Sequence, residues 1–281
     1  MDKEKAKIHS HENETKGVAV MFRQKVENIS NFKMPMPFWD HQFFIHHLPK
    51  PIPHPKLCIR KNQADLTTAE KETFKCAYST VISAGFLGPY VAIHSDMSHR
   101  MHSMSGPVGR ERFLPWHRVY LLELELKLMA YHPNICLPYW DWVNEREVPE
   151  WLEDFKPTMI VNGNPVTVVR NPGSPASLPH QPDVDAAMNQ TIYTNFTQDL
   201  EGIHNGVHVW VGGTMSFIAT APADPLFWLH HANIDRIWDE WQGDNPGENP
   251  NLVGSDAIMD PWMSFDEIDT RSVSALGYVY A

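Results

Sequence analysis

The clearest helical spacing of apolar positions lies in residues 224–241, which read DPLFWLHHANIDRIWDEW. Apolar side chains recur there on one helix face, at Phe227, Trp228, Ile234, Ile237 and Trp238. Asp224 can accept hydrogen bonds from the free N–H groups of a first turn, and proline at 225 suits the first helical position. The pattern predicts a packed helix that begins at Pro225.

Three further helices are predicted from similar signals. Residues 112–133, RFLPWHRVYLLELELKLMAYHP, predict a helix that starts at about Pro115, places His117 in its first turn and buries the face of Tyr120, Leu121, Leu124 and Leu128. Thr67 and Glu70 form a capping-box pattern that opens a helix towards Gly85. Pro89 fits the start of a short helix that ends at His94.

The rest of the chain has weaker periodicity. Residues 143–197 are dominated by proline, asparagine and glycine, which predicts a long surface loop with at most one short strand in VTVVR, 166–170. Residues 1–56 are first polar and then rich in proline, aromatics and histidine, and we interpret them as an irregular N-terminal arm. The predicted organisation is therefore an extension over 1–56 and one domain over 57–281.

Composition agrees with one domain and restricts the classes of partner that the chain can bind. A chain of 281 residues with 42% hydrophobic residues can bury a sizeable core. The formal net charge of −11 argues against nucleic acid and against an anionic membrane surface, since both require a basic face. No apolar run of about 18 residues and no secretory signal is recognised, so we expect a cytoplasmic protein. Three cysteines, an odd number, predict reduced thiols at Cys58, Cys76 and Cys136.

Histidines supply the candidate chemistry. His204 and His208 lie four residues apart, a spacing that places both imidazoles on one helix face within reach of one metal ion. Either His230 or His231 can add a third nitrogen, because adjacent helical residues point about 100° apart and one ion cannot easily take both. An earlier set combines His94 and His117 with a loop histidine, either His99 or His102. Sets of three nitrogens suit zinc or copper and leave a coordination position open.

Four segments, FLPWHRVYLLELE, LPYWDW, LEGIHNGVHVWVGG and DPLFWLHHANIDRIW, resemble the type 3 copper family, most closely short bacterial-type tyrosinases. The resemblance covers roughly Leu57 to Tyr280, including the terminal pair Tyr278 and Tyr280. It implies a mainly α fold in which a four-helix bundle, with long loops and few short strands, houses two copper ions. It also implies six ligands, the CuA set His94, His102 and His117 and the CuB set His204, His208 and His231.

The CuA loop departs from the family pattern. Val108 stands where relatives usually carry the second CuA histidine, so SMSGPVGRE is interpreted as a loop insertion. His102 is preferred over His99 because in relatives a small residue tends to follow this ligand, as Ser103 does here. Arg100 occupies the position of the cysteine that forms a thioether in fungal and molluscan relatives, so we expect no such crosslink.

The resemblance implies an enzyme that uses O2 as co-substrate to hydroxylate small monophenols to o-diphenols and to oxidise o-diphenols to o-quinones. Glu201 and Asn205 match the family's water-holding pair, and Ile218 occupies the position where a bulkier residue can cover the copper. The resemblance is also compatible with a partner protein that loads the copper ions. Alternatives are a catechol or o-aminophenol oxidase without hydroxylase activity, a haemocyanin-like oxygen carrier and, outside the family, a mononuclear zinc hydrolase. Because the chain ends at Ala281, the 1–56 arm is expected to be the element that shields the site.

Overall fold

The computed structural model describes residues 57–173 and 175–281, and this part of the chain is mainly helical, as predicted. The predicted arm over 1–56 lies outside the described residues. The helices are α1 (Thr68–Ser83), α2 (Leu87–Ser95), α3 (Pro107–Met129), α4 (Glu150–Glu153), α5 (Gln181–Met188), α6 (Tyr193–Val211) and α7 (Pro225–Asp244). The strands are β1 (Cys58–Arg60), β2 (Thr158–Val161), β3 (Asn164–Thr167) and β4 (Tyr278–Tyr280).

The helices α1 and α7 begin where their capping residues predicted. Thr67 accepts from the N–H of Glu70, and the Glu70 carboxylate accepts from the N–H of Thr67, which completes the capping box of α1. Asp224 accepts from the N–H of Leu226 at 2.9 Å, and Pro225 is the first residue of α7. The short helix with His94 begins at Leu87, two residues before Pro89, and ends at Ser95.

The predicted start of α3 at Pro115 was wrong, because the helix begins at Pro107 and Pro115 lies inside it. Gly106, at φ 85°, turns the chain directly before Pro107, so the combination of glycine and proline marks the true start. An internal proline cannot donate to the carbonyl four residues earlier. That carbonyl belongs to Glu111, and it accepts instead from the Tyr193 hydroxyl at 3.1 Å. Only the first part of SMSGPVGRE is therefore loop, because its residues from Pro107 onwards belong to α3. Its interpretation as an insertion stays a prediction.

Residues 143–197 are more ordered than predicted. They contain α4, α5, the start of α6 and an antiparallel hairpin in which Val161 pairs with Asn164. Asn162 and Gly163 form the turn with φ values of 49° and 80°, which is the Asn-Gly signal of a tight hairpin. The predicted strand at 166–170 overlaps β3 only at its first two positions.

The ends of the described region are joined by β1 and β4, which pair in parallel with Cys58 opposite Tyr278 and Arg60 opposite Tyr280. The prediction of three reduced thiols was wrong for Cys58 and Cys136, which form a disulfide with a Cα–Cα distance of 5.8 Å across 78 residues of sequence. The fold brings these two positions together, which a count of cysteines could not anticipate. Cys76 is free and exposed. The cellular compartment stays a prediction.

The core lies where α3, α6 and α7 pack on one another, and α1 also packs on α3. The Tyr120 hydroxyl of α3 donates to the Tyr90 carbonyl of α2 at 2.7 Å and so links those two helices. Among the described helices, none alone has both the length and the apolar character that a membrane crossing needs. One bent pair, α1 with α2 at 81°, passes that test only when the two are counted together.

Candidate metal centre

Three histidines from α2, α3 and the loop between them form a first cluster. His94 comes from the last turn of α2, His117 from the middle of α3 and His102 from the connecting loop. The Nε2 atom of His94 lies 3.4 Å from that of His102 and 3.3 Å from that of His117. All three side chains are buried. Only His117 is misplaced by sequence reasoning, since it lies well inside its helix rather than in the first turn.

The second nitrogen of each ring in this cluster faces an acceptor. His94 Nδ1 lies 3.0 Å from the carbonyl of Ile218, and His117 Nδ1 lies 2.7 Å from the carbonyl of Phe113. His102 Nδ1 lies 3.4 Å from the carboxylate of Glu201. When Nδ1 carries the proton and donates it to such an acceptor, Nε2 keeps a free lone pair for a metal ion. The cluster therefore presents three imidazole lone pairs to one point.

A second cluster is built on α6 and α7. The Nε2 atom of His204 lies 2.9 Å from that of His208 and 3.0 Å from that of His231. His208 Nδ1 lies 2.8 Å from the carbonyl of Met215, and His204 Nδ1 lies 3.1 Å from Oδ1 of Asn205. The predicted four-residue spacing thus places both α6 imidazoles at one point, and α7 supplies the third.

The two alternative histidines have different surroundings. The Nδ1 atom of His99 is hydrogen-bonded to the carboxylate of Asp260, and His99 is not part of the first cluster. His230 belongs by distance to the second group, since one ring nitrogen lies within 4.8 Å of the ligand atoms of the other three. However, its ring is stacked on that of His204, with centroids 5.0 Å apart and an interplanar angle of 14°. His231 is the neighbour whose Nε2 meets those of His204 and His208.

Burial and mutual repulsion keep five of the cluster imidazoles neutral. Desolvation, followed by the charges of neighbouring histidines, holds the pKa values of His94, His117, His204 and His231 well below the usual range. Desolvation also lowers the pKa of His208, to about 4. Neutral imidazole is the form that binds a metal, so these five histidines are in the ligand state at neutral pH. Two sets of three imidazole nitrogens fit copper, for which imidazole is a suitable ligand.

The two clusters face each other across a small cavity. The rings of His117 and His231 are stacked with centroids 4.6 Å apart, and those of His102 and His204 lie 6.1 Å apart. A cavity of about 260 Å³ reaches four of the histidines, and its wall includes all three other predicted site residues, Glu201, Asn205 and Ile218. A ligand in this cavity can therefore approach both clusters at once.

The predicted site residues have contacts that the sequence did not reveal. The buried Glu201 carboxylate accepts from the N–H of Ser103 at 3.0 Å, so it braces the residue after His102. Ile218 contributes its carbonyl to His94 as well as its side chain to the cavity. Sequence reasoning missed Met104 and Val209, which also line the cavity and are exposed. The carbonyls of Ile218 and Met215 carry no side-chain signal and could be found only in the folded chain.

Comparison with known proteins agrees with this geometry. The family model described as the common central domain of tyrosinase matches residues 86–174 and 162–244. A tyrosinase of Streptomyces antibioticus is 33% identical over 255 residues, covering 73% of this chain and 93% of that protein. A functional unit of octopus hemocyanin superposes with a TM-score of 0.65 at 23% identity, covering 80% of this chain and 68% of the other. A polyphenol oxidase variant from Thermothelomyces thermophila superposes with a TM-score of 0.55 at 18% sequence identity. The match covers 80% of this chain and 89% of the other.

Proposed function

The chain belongs to the tyrosinase family of type 3 copper proteins, and from this premise we propose that it oxidises small phenols with O2, hydroxylating monophenols and oxidising o-diphenols to o-quinones. The first cluster, His94, His102 and His117, would hold one copper, and the second, His204, His208 and His231, would hold the other. Each bound copper ion would change its oxidation state by one electron, so the two ions together would supply two electrons to O2.

The observation that carries the proposal is the cavity that reaches both clusters. A mononuclear hydrolase needs one metal site, whereas this cavity has His94 and His102 on one wall and His204 and His208 on the other. The histidines that line the cavity are buried or half-buried, whereas the side chains of Met104 and Val209 are exposed. This arrangement lets an aromatic ring enter between apolar groups with its hydroxyl directed towards the metal sites.

The carboxylate of Glu201 is the proposed proton acceptor for a monophenol. It lies on the cavity wall and is buried, and the Ser103 N–H and the His102 ring together occupy only part of its acceptor capacity. A water held between Glu201 and the side chain of Asn205, which lines the same cavity, would take the phenol proton and pass it to the carboxylate. An o-diphenol is more acidic and needs this assistance less, so Glu201 is expected to matter most for hydroxylation.

Copper content and two substrates test the proposal. Fully loaded protein is expected to hold two copper ions per chain and to consume O2 with both tyrosine and catechol. A variant with His204→Ala and His208→Ala is expected to retain one copper and to lose both activities, and His180→Ala, outside both clusters and the cavity, is the matched control. A copper content near one in the unmodified protein would contradict the binuclear site. Turnover of catechol alone would instead support a catechol oxidase.

A further inference from the structure

The loop that carries His102 is tied to a segment more than 150 residues further along the chain, and we propose that this segment positions His102 for metal binding. The loop runs over residues 96–106, between α2 and α3, and the anchoring segment comprises residues 256–260. Asp256 and Asp260 would act through the loop and not on the metal, so they are positioning residues. The inference rests on the proposed copper centre, and it identifies residues that determine how well the first cluster binds its metal ion.

A hydrogen bond and an ion pair join the loop to the anchoring segment directly before His102. The ring of His99 pairs through Nδ1 with the carboxylate of Asp260. Arg100 donates from Nη2 to the carboxylate of Asp256 at 2.5 Å. His99 is buried, and the side chains of Asp256, Asp260 and Arg100 are only 33%, 33% and 40% exposed. Such partly desolvated pairs restrain a short loop more strongly than freely exposed ones.

The anchoring segment is itself fixed on α3, the helix that carries His117. The fully buried guanidinium of Arg112 donates to the carbonyls of Asp256 and Ile258 at 2.8 and 2.7 Å, and also pairs with the carboxylate of Asp260. The Trp116 indole donates to the carbonyl of Asp260 at 2.7 Å. The Asp260 carboxylate thus bridges His99 on the loop and Arg112 on the helix. Through it, the positions of His102 and His117 are set relative to each other.

The backbone of the loop shows why a restraint is needed. Arg100 has φ 48° and ψ 47°, the left-handed region that is sterically unfavourable for a residue other than glycine. A restraint from the neighbouring hydrogen bond and ion pair can offset that steric cost and hold the turn that leads into His102. The second cluster has no comparable requirement, because its histidines lie on α6 and α7. A change at Asp260 should therefore weaken one copper site and spare the other.

Isolating each cluster makes this asymmetry measurable. In a background with His204→Ala and His208→Ala, only the first cluster is complete. In a background with His94→Ala and His117→Ala, only the second cluster is complete. Asp260→Asn is introduced into each, and the dissociation constant for Cu(I) is measured by competition with a chromogenic chelator. We expect about 10–100-fold weaker binding by the first cluster, the usual range for residues that orient metal ligands, and no change in the second.

Two further variants separate positioning from general stability. Arg100→Asn removes the ion pair with Asp256 but suits left-handed backbone, so it is expected to weaken the first cluster without added strain. Glu240→Gln, which removes an exposed ion pair with Arg236, is the matched control and should change neither constant. Equal weakening of both clusters by Asp260→Asn, or of neither, would overturn the inference. Failure of the unmodified protein to bind copper at all would instead contradict the proposed function.

Discussion

At the residue scale, His99 and His102 have the same chemistry, lie three residues apart and are both buried, yet only His102 joins the first cluster. The small residue after His102 and the family pattern were enough to prefer it. The role of His99 could not be predicted, because its partner Asp260 lies 161 residues away in sequence. The same holds for Glu201, whose bond to the N–H of Ser103 depends on how the loop meets α6.

Glu201→Gln tests the proposed base. The amide oxygen can still accept from the N–H of Ser103, whereas the charge that attracts the phenol proton is lost. We expect monophenol turnover to fall by about 10²–10⁴-fold and diphenol turnover to fall far less. Both rates are measured with copper content verified, and Asp199→Asn, an exposed acid on the same helix, is the control. Equal losses with copper retained would make Glu201 a structural residue.

Glu123 predicts a pH dependence of stability outside the copper site. Burial on α3 raises the pKa of this carboxyl to about 7, although Lys127 and the Tyr90 hydroxyl act in the opposite direction. Between its usual pKa and 7 the folded state binds more protons at this group than the unfolded state, so its contribution to stability falls as pH rises through that window.

Glu123→Gln should abolish this loss. Relative to the unmodified protein, the free energy of unfolding of the variant should improve between pH 5 and pH 8 by up to about 3 kcal/mol. Urea unfolding at the two pH values measures it, with Glu240→Gln as an exposed control. An offset that is the same at both pH values would show that Glu123 is already ionised in the folded protein.

At the element scale, sequence signals worked where a helix terminus is determined locally and failed where tertiary contacts override them. Asp224 with Pro225 and Thr67 with Glu70 marked true helix starts. Pro115 did not, because the Tyr193 hydroxyl satisfies the carbonyl that an internal proline leaves free. The turn residues Asn162 and Gly163 are typical of a tight hairpin, so this hairpin could have been predicted. It was missed because residues 143–197 were interpreted from their overall composition.

The first turns of α3 require a glycine at position 109. A Cβ atom there would lie 2.0 Å from the carbonyl oxygen of His102 and 2.9 Å from its carbon, both backbone atoms that cannot rotate away. Gly109→Ala must therefore displace the His102 loop from the helix. We expect lower copper content and a lower thermal midpoint, measured by metal analysis and by calorimetry.

Gly202→Ala on α6 is the matched control for this change. No heavy atom outside its own helix lies within 4 Å of a Cβ at Gly202. Replacement by alanine should therefore raise helix stability by up to about 1 kcal/mol and leave copper content unchanged. A Gly109→Ala variant that behaves like Gly202→Ala would contradict the close approach of α3 to His102.

At the scale of the whole molecule, the bond between Cys58 and Cys136 closes a long loop, with a sequence separation of 78 residues. Chain entropy predicts that such a crosslink stabilises the folded state by about 4 kcal/mol. Cys136→Ser should lower the free energy of unfolding by up to that amount, and a reducing agent should have the same effect on the unmodified protein. Cys76→Ser, at the free exposed thiol, is the control. Urea midpoints that do not respond to reductant would show that the pair is not oxidised in solution.

The parallel pairing of β1 with β4 also determines how the chain could be reconnected. Arg60 pairs with Tyr280, and the N–H of Ala281 donates to the carbonyl of Arg60 at 3.0 Å, so the two ends of the described region lie side by side. Because the strands run in the same direction, a linker from residue 281 back to residue 57 needs to retrace only about 13 Å of strand. A circular permutant with new termini at the exposed tip between Asn162 and Gly163 should therefore keep every helix and both histidine clusters. In such a permutant of residues 57–281, the two former ends of the described region would form one continuous internal segment.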